Sequence, residues 1–233
     1  MWGVQLGGLA VVAEGDQSGL QAAPLAVISQ GNRRGIGFGG AAVIAEGSMT
    51  GANLSGLAVV SQGPMQGLNV GGLAVVSEGE MRGIHLAGLA VVSQRNASGV
   101  QVGGLALVAE GDLAGLSLGG LATVSEGDQT GINLAGLATV TEGTTRYLSA
   151  AGLAVVAGRV EGAALSLGKV YTPDQAGLAV SAYNDIRGVN RGLSIAIYNY
   201  ARTSPGLQVG LINYVRDNRD GLRLLPFVNR SWD

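Results

Sequence analysis

The chain of 233 residues has no cysteine, one histidine, five prolines and only 4% aromatic residues. Without cysteine there is no disulfide framework and no thiol chemistry. A single histidine leaves no basis for His–Cys zinc sites or for Cys–His and Ser–His nucleophile pairs. Charged residues make up 13% of the chain with a net charge of −2, so no basic face for nucleic acid is expected. No apolar run approaches the ~18 residues that a membrane-crossing helix needs. The chain enters its pattern at Trp2-Gly3 without a charged leader or an apolar leader core, so no signal segment is expected within it.

What the chain has is glycine, 41 residues of it, with neither a collagen period nor proline enrichment. The glycines belong to a repeat. Gly67 to Arg82 reads GLNVGGLAVVSEGEMR, and its Gly-Leu-Ala core returns at Gly56, Gly72, Gly88, Gly104, Gly120, Gly136 and Gly152, always sixteen residues apart. With Gly3 as position one, first positions fall every sixteen residues to Tyr147. They continue at spacings of fourteen or fifteen from Gly162 to Gly221. A fixed period of this kind sets the architecture before any other signal does.

Position two is aliphatic in most units, position three polar (Gln5, Asn69, His85, Gln101) and position four aliphatic, the alternation of a half-buried strand. Small residues at five and six mark a bend. A second run, Leu-Ala-Val-Val at seven to ten, follows, and Glu or Gln with Gly at twelve and thirteen closes the unit as a turn. No helical period of ten residues appears. The pattern predicts an all-β fold, a β-solenoid of about fifteen 14–16-residue coils stacked in parallel. At ~4.8 Å per strand these would make a rod on the order of 70 Å long.

The thirty-two-residue alternation of Glu and Gln at position twelve keeps an antiparallel meander or β-barrel as the alternative. Because Thr123 and Thr139 occupy position nine, that position is read as outward, with Ala at eight and Val at ten inward. His85 is then a surface variant of the polar row. One repeat domain is expected over 1–233, regular over 1–161 and divergent over 162–233, where most tyrosines lie. There Asn184, Asn199 and Asn213 form a candidate hydrogen-bonded stack, and Leu222 to Asn229, with Pro226, forms a cap in which Tyr183, Tyr198 and Phe227 seal the core.

Gly206-Leu-Gln-Val-Gly-Leu-Ile-Asn-Tyr214 resembles the repeat of bacterial surface-repeat proteins of the leptospiral type, Gly-aliphatic-Gln-aliphatic-Gly-Leu-aliphatic-Asn. Gly192 to Asn199 and Gly3 to Gly7 match more loosely, and Leu222 to Asn229 resembles the family's closing segment. The central units depart from it with Gly-Leu-Ala-Val-Val. The resemblance implies an exported, surface-associated protein and no particular activity.

Two sets of side chains stand out as candidate sites. Glu110, Glu126 and Glu142 with Asp112 and Asp128 form an acidic column in which stacked carboxylates would recruit a cation such as calcium. No Gly-Gly-x-Gly-x-Asp calcium motif accompanies them, and a solvated turn is the competing reading. Arg187, Arg191, Tyr198, Tyr200, Tyr214 and Arg216 gather the residue types in which binding energy concentrates, on coils expected to meet a protein or cell-surface partner. The expected function is a non-enzymatic structural or interaction repeat protein without cofactors, with self-association open. An outer-membrane barrel is the first alternative, and a calcium-binding or ice-binding solenoid the second.

Overall fold

A computed structural model describes residues 2–232. Its contacts group the chain into two compact units, Met1–Gly120 and Leu121–Asp233. The fold is all-β: a parallel β-solenoid of about 13 coils, with no helix among the described residues. The antiparallel meander or barrel does not form.

In the first unit each coil after the first contributes a seven-residue strand and a four-residue strand, the first beginning with the five-residue Trp2–Leu6. Met81–Ala87 and Ala90–Ser93 are one such pair. Every strand pairs in parallel with its counterpart sixteen residues away, so Asn69 stands beside His85 and Val75 beside Val91. Identical columns therefore stack, and each coil completes its hydrogen bonds only on its neighbours. Bends between strands pair in the same way, as in Leu73 N–H to the Leu57 carbonyl at 2.8 Å and Leu89 N–H to the Leu73 carbonyl at 2.9 Å.

Burial within the coil Gly67 to Arg82 shows which way the side chains point. Asn69, Gly71, Val75, Ser77 and Met81 are buried, at positions three, five, nine, eleven and fifteen. Between five and nine, between eleven and fifteen, and between fifteen and three, three consecutive residues lie outside or at a bend. Each such triplet breaks the alternation of a strand and turns a corner. The coil is thus three-cornered. Two corners bring the chain past glycine. At position one, Gly19 to Gly115 adopt φ of 102–121°, and a Cβ on Gly67 would overlap the Gly51 carbonyl of the coil beneath.

This phase overturns the expected orientation. Val75 at position nine is fully buried, while Ala74 and Val76 on either side face out and are half-buried. The polar third column is also inside: Gln21, Asn53, Asn69, His85 and Gln101 are all fully buried. Asn53 donates to Asn69 Oδ1 at 2.8 Å and Asn69 meets His85 Nδ1 at 3.2 Å, which offsets part of the penalty that makes buried polar groups rare, while the Gln101 amide finds no partner in the protein. Apolar filling comes from Val27, Val43, Val59, Val75, Val91 and Leu107 at position nine, and from Met49, Met65 and Met81 at position fifteen. The turns are laddered as well. The side-chain oxygens of Asp16, Asn32 and Asn96 accept the backbone N–H of the residue sixteen further on, at 2.7–2.9 Å.

In the second unit the strands lengthen, to fourteen residues in Ala138–Ala151 and twelve in Leu178–Val189. Registers step by sixteen, then fifteen, then fourteen residues, with irregularities between Thr141 and Thr144 and between Ile186 and Val189. The asparagine stack forms as expected. Asn184 donates to Asn199 Oδ1 at 2.9 Å, and Asn199 donates to Asn213 Oδ1 at 2.8 Å. The final segment, Leu224–Asn229, turns back antiparallel on Leu207–Val215 and so closes the edge that a further parallel coil would otherwise extend.

The closing device is polar and not aromatic. Buried Asn229 donates to the carbonyls of Asn213, Leu222 and Arg223, and Asn218 donates to those of Leu222 and Arg230. Phe227 is 69% exposed, and Tyr183 and Tyr198 lie half-buried on an outer face, so the aromatic seal is corrected to an asparagine knot.

Candidate functional site

The two sequence-derived sites fare differently. In the first unit Glu110 and Asp112 are exposed on the turn corner, and the Asp112 N–H donates to Asn96 Oδ1 at 2.9 Å. In the second unit Glu126 and Glu142 are exposed, and Asp128 spends its carboxylate within the protein. Its Oδ1 accepts the Thr144 N–H at 2.7 Å, and its Oδ2 meets Arg146 Nη1 at 2.6 Å. The Thr144 N–H, opposed by partial burial and reinforced by Arg146, holds this carboxyl below the usual carboxylate range. Among the described residues no three His, Cys, Asp or Glu side chains are grouped to hold a metal ion. Asp128 caps the turn at Thr144, and Glu110, Asp112, Glu126 and Glu142 lie exposed at the surface.

The C-terminal candidates do come together in part, around a residue the sequence reading passed over. Asp185 follows Asn184 on the strand Leu178–Val189, and its side chain is only 1% exposed. Lys169 Nζ lies 2.8 Å from its Oδ2 and Arg187 Nε 2.8 Å from its Oδ1. A buried carboxylate needs such partners, and two cations supply more positive charge than one carboxylate neutralises. Both cations lie over aromatic faces: Lys169 is 5.1 Å from the ring centres of Tyr171 and Tyr183, and Arg187 is 5.7 Å from that of Tyr200.

The tyrosines extend the cluster from coil to coil. Tyr183 and Tyr198 are paired in register with ring centres 5.2 Å apart, and Tyr200 and Tyr214 stack at 5.7 Å with planes 10° apart. Burial raises the Tyr183 phenol, and the Asp185 carboxylate adds to the effect. Arg191 and Arg216 are exposed and join no ion pair within this cluster. Lys169, Tyr171, Tyr183 and Asp185 were missed. The available signal was Lys169 and Asp185 themselves, charges set inside strand-like runs where earlier units carry Ala or Val.

Two buried ionisable groups sit in the first unit. His85 is fully buried in the third column, where Asn69 Nδ2 meets its Nδ1 at 3.2 Å. Burial depresses its pKa to about 4, against a weaker opposing contribution from the Arg82 backbone, so the ring is neutral at neutral pH. Arg33, at position fifteen, is also fully buried, and burial lowers its pKa to about 10. Its guanidinium reaches across the coil, donating to Gln21 Oε1 at 2.8 Å and to Asn53 Oδ1. On its own strand, Arg33–Gly39, the third-column position is Gly37, where a Cβ would overlap the guanidinium. Neither group is placed for chemistry on a substrate, because neither reaches solvent.

Comparison with protein-family models, with curated proteins and with solved structures finds no significant match.

Proposed function

We infer that this chain is a non-enzymatic repeat protein, exported and surface-associated, that acts through its outer faces and holds a protein or cell-surface partner on its C-terminal coils. The observation that carries this reading is the cluster of Lys169, Asp185 and Arg187 with two tyrosine pairs in ring contact. A solenoid needs only small or aliphatic side chains at these positions, as the first unit demonstrates with Ala74 and Val76. Tyr and Arg held rigidly on a face are the residue types in which interface energy concentrates. The resemblance of Gly206 to Tyr214 to leptospiral-type surface repeats points the same way.

The triple substitution Arg187→Ser, Arg191→Ser and Arg216→Ser tests it, since Asp185 keeps Lys169 as its partner. Binding of the purified chain to bacterial cells should fall about tenfold or more at an unchanged melting temperature. Undiminished binding overturns the assignment of the partner to these coils.

A further inference from the structure

All eleven Asp, Glu, Lys and Arg residues of the first unit fall at positions twelve to sixteen of the repeat, and positions one to eleven carry none. Combined with the three-cornered coil, this assigns each outer face a chemistry. One face, positions two and four, carries Val, Leu, Ile and Phe38. The next, positions eight and ten, carries Ala with Val or Ile. Only the third, positions twelve to sixteen, carries charge. The two aliphatic faces meet at a ridge of leucines at position seven, where Leu57, Leu73, Leu89 and Leu105 are 44–50% exposed. Beside the ridge, an open apolar groove of about 630 Å³ runs over five coils between Leu6, Pro24, Phe38, Leu54 and Val70. The polar side chains that a soluble β protein would turn to water (Gln21, Asn53, Asn69 and Gln101) are inside.

We propose that the first unit seats its leucine ridge and both aliphatic faces in the hydrocarbon of a lipid surface, leaving the charged face in water. Three features of the unit select lipid over a second copy or a protein partner. The aliphatic surface wraps a corner, whereas a second copy docked flat would cover one face and leave the other in water. Across positions two to ten the outward side chains offer almost no fixed donors or acceptors, where a specific protein interface carries about one hydrogen bond per 100–200 Å². The backbone of the ridge is already paired, as between Leu73 N–H and the Leu57 carbonyl, so contact with hydrocarbon strands no amide. The arrangement is the β counterpart of an amphipathic helix lying in an interface. This inference concerns Met1–Gly120 alone and stands or falls separately from the partner site on the C-terminal coils.

The test is flotation of the full chain with phosphatidylcholine vesicles in about 1 M NaCl, where screening confines electrostatic attraction to ~3 Å. The chain should float with the vesicles. The double substitution Leu73→Glu and Leu89→Glu on the ridge should reduce the floated fraction about tenfold or more, and Gln62→Glu with Gln94→Glu on the charged face should leave it unchanged. A second readout needs no added charge. Leu73→Trp should be quenched by brominated acyl chains, and Gln62→Trp should not, against the shared background of Trp2 and Trp232. A chain that fails to float, a ridge variant that floats like the parent, or equal quenching at both positions overturns the proposal. So does a soluble dimer that the ridge substitutions dissociate, which would make a second copy the occupant.

Discussion

The two units fill the same kind of coil with opposite sides. In the first, the third column is polar (Asn53, Asn69, His85) and the ninth is valine. In the second, the third column passes through Ser149 to Ala164 and Ala179, while the ninth passes from Val155 and Val170 to Asn184 and Asn199. The exchange occurs where both columns are apolar, at Ala164 and Val170. A narrow parallel interior therefore accepts a hydrogen-bonded amide column on either side. Pairing along the stack runs through Asn53, Asn69 and His85 in the third column and through Asn184, Asn199 and Asn213 in the ninth, and it lapses at Gln101 and Asn133, whose amides find no partner. The outer faces diverge in parallel with this exchange: aliphatic in the first unit, tyrosine and ion pairs in the second.

The sharpest break in this comparison is at position one. Gly67 has φ of 102° and packs against the Gly51 carbonyl, whereas Tyr147 occupies the same column of the second unit at φ 73° with its ring 70% exposed. Gly67→Tyr should cost more than about 4 kcal/mol or prevent folding, because both the dihedral and the contact oppose it. Tyr147→Gly should cost within about 1 kcal/mol. Chemical denaturation of both variants decides this, and equal costs would mean that the column is not strained.

Acidity separates the two ladders next. His85 has a folded pKa of about 4 against an ordinary 6.5. Between those values the unfolded chain binds the extra proton, so stability falls as pH drops from about 6.5 to about 4 and levels off below. The loss is about 3 kcal/mol from this residue. The asparagine ladder of the second unit has nothing to titrate. Denaturation midpoints across this window should flatten in His85→Asn, and an unchanged slope would place the pH sensitivity elsewhere.

The smallest effects come from position nine. Val75→Thr should destabilise by about 1–2 kcal/mol, because it buries a hydroxyl. Thr139→Val in the second unit should stabilise by up to about 1 kcal/mol, because the buried Thr139 hydroxyl finds no protein partner. Ala74→Leu, on the outside, should change stability by less than about 1 kcal/mol. Thermal melts in which Ala74→Leu is the most damaging of the three would reverse the assignment of faces.

The repeat length and the all-β class were legible in the sequence from period and alternation, whereas the thirty-two-residue alternation at position twelve left parallel stacking beside an antiparallel alternative until the strand registers decided it. The asparagine stack was legible because amides recurring at coil spacing have an evident partner. The inward phase was not. A strand has two faces, and a shift of one residue exchanges them. The ordinary rule that amides seek water puts the polar row at three outside, and by the same rule Thr123 at nine marks a wet face. Both are fully buried. The better guide was charge, since Asp, Glu, Lys and Arg avoid positions one to eleven of the early units altogether. That pattern separates the water-facing corner from everything else. The Asp185 cluster was hidden for a different reason: the shortened repeats displaced the column count by one, and only the register of Tyr171 on Asp185 restores it.

A chain made of near-identical coils faces a hazard that irregular proteins do not. Stacking coil four where coil three belongs would keep nearly every hydrogen bond and every aliphatic contact, at little energetic difference. Arg33 and Gly37 make that error expensive. Only a vacancy such as Gly37 in the third column admits the guanidinium, and the flanking amides of Gln21 and Asn53 accept from its two terminal nitrogens. A slip by one whole coil would press the cation against a side chain and strand its donors in the interior. The buried arginine thus serves as an address within a sequence that otherwise repeats itself: it gives up some stability so that the coils stack in only one order.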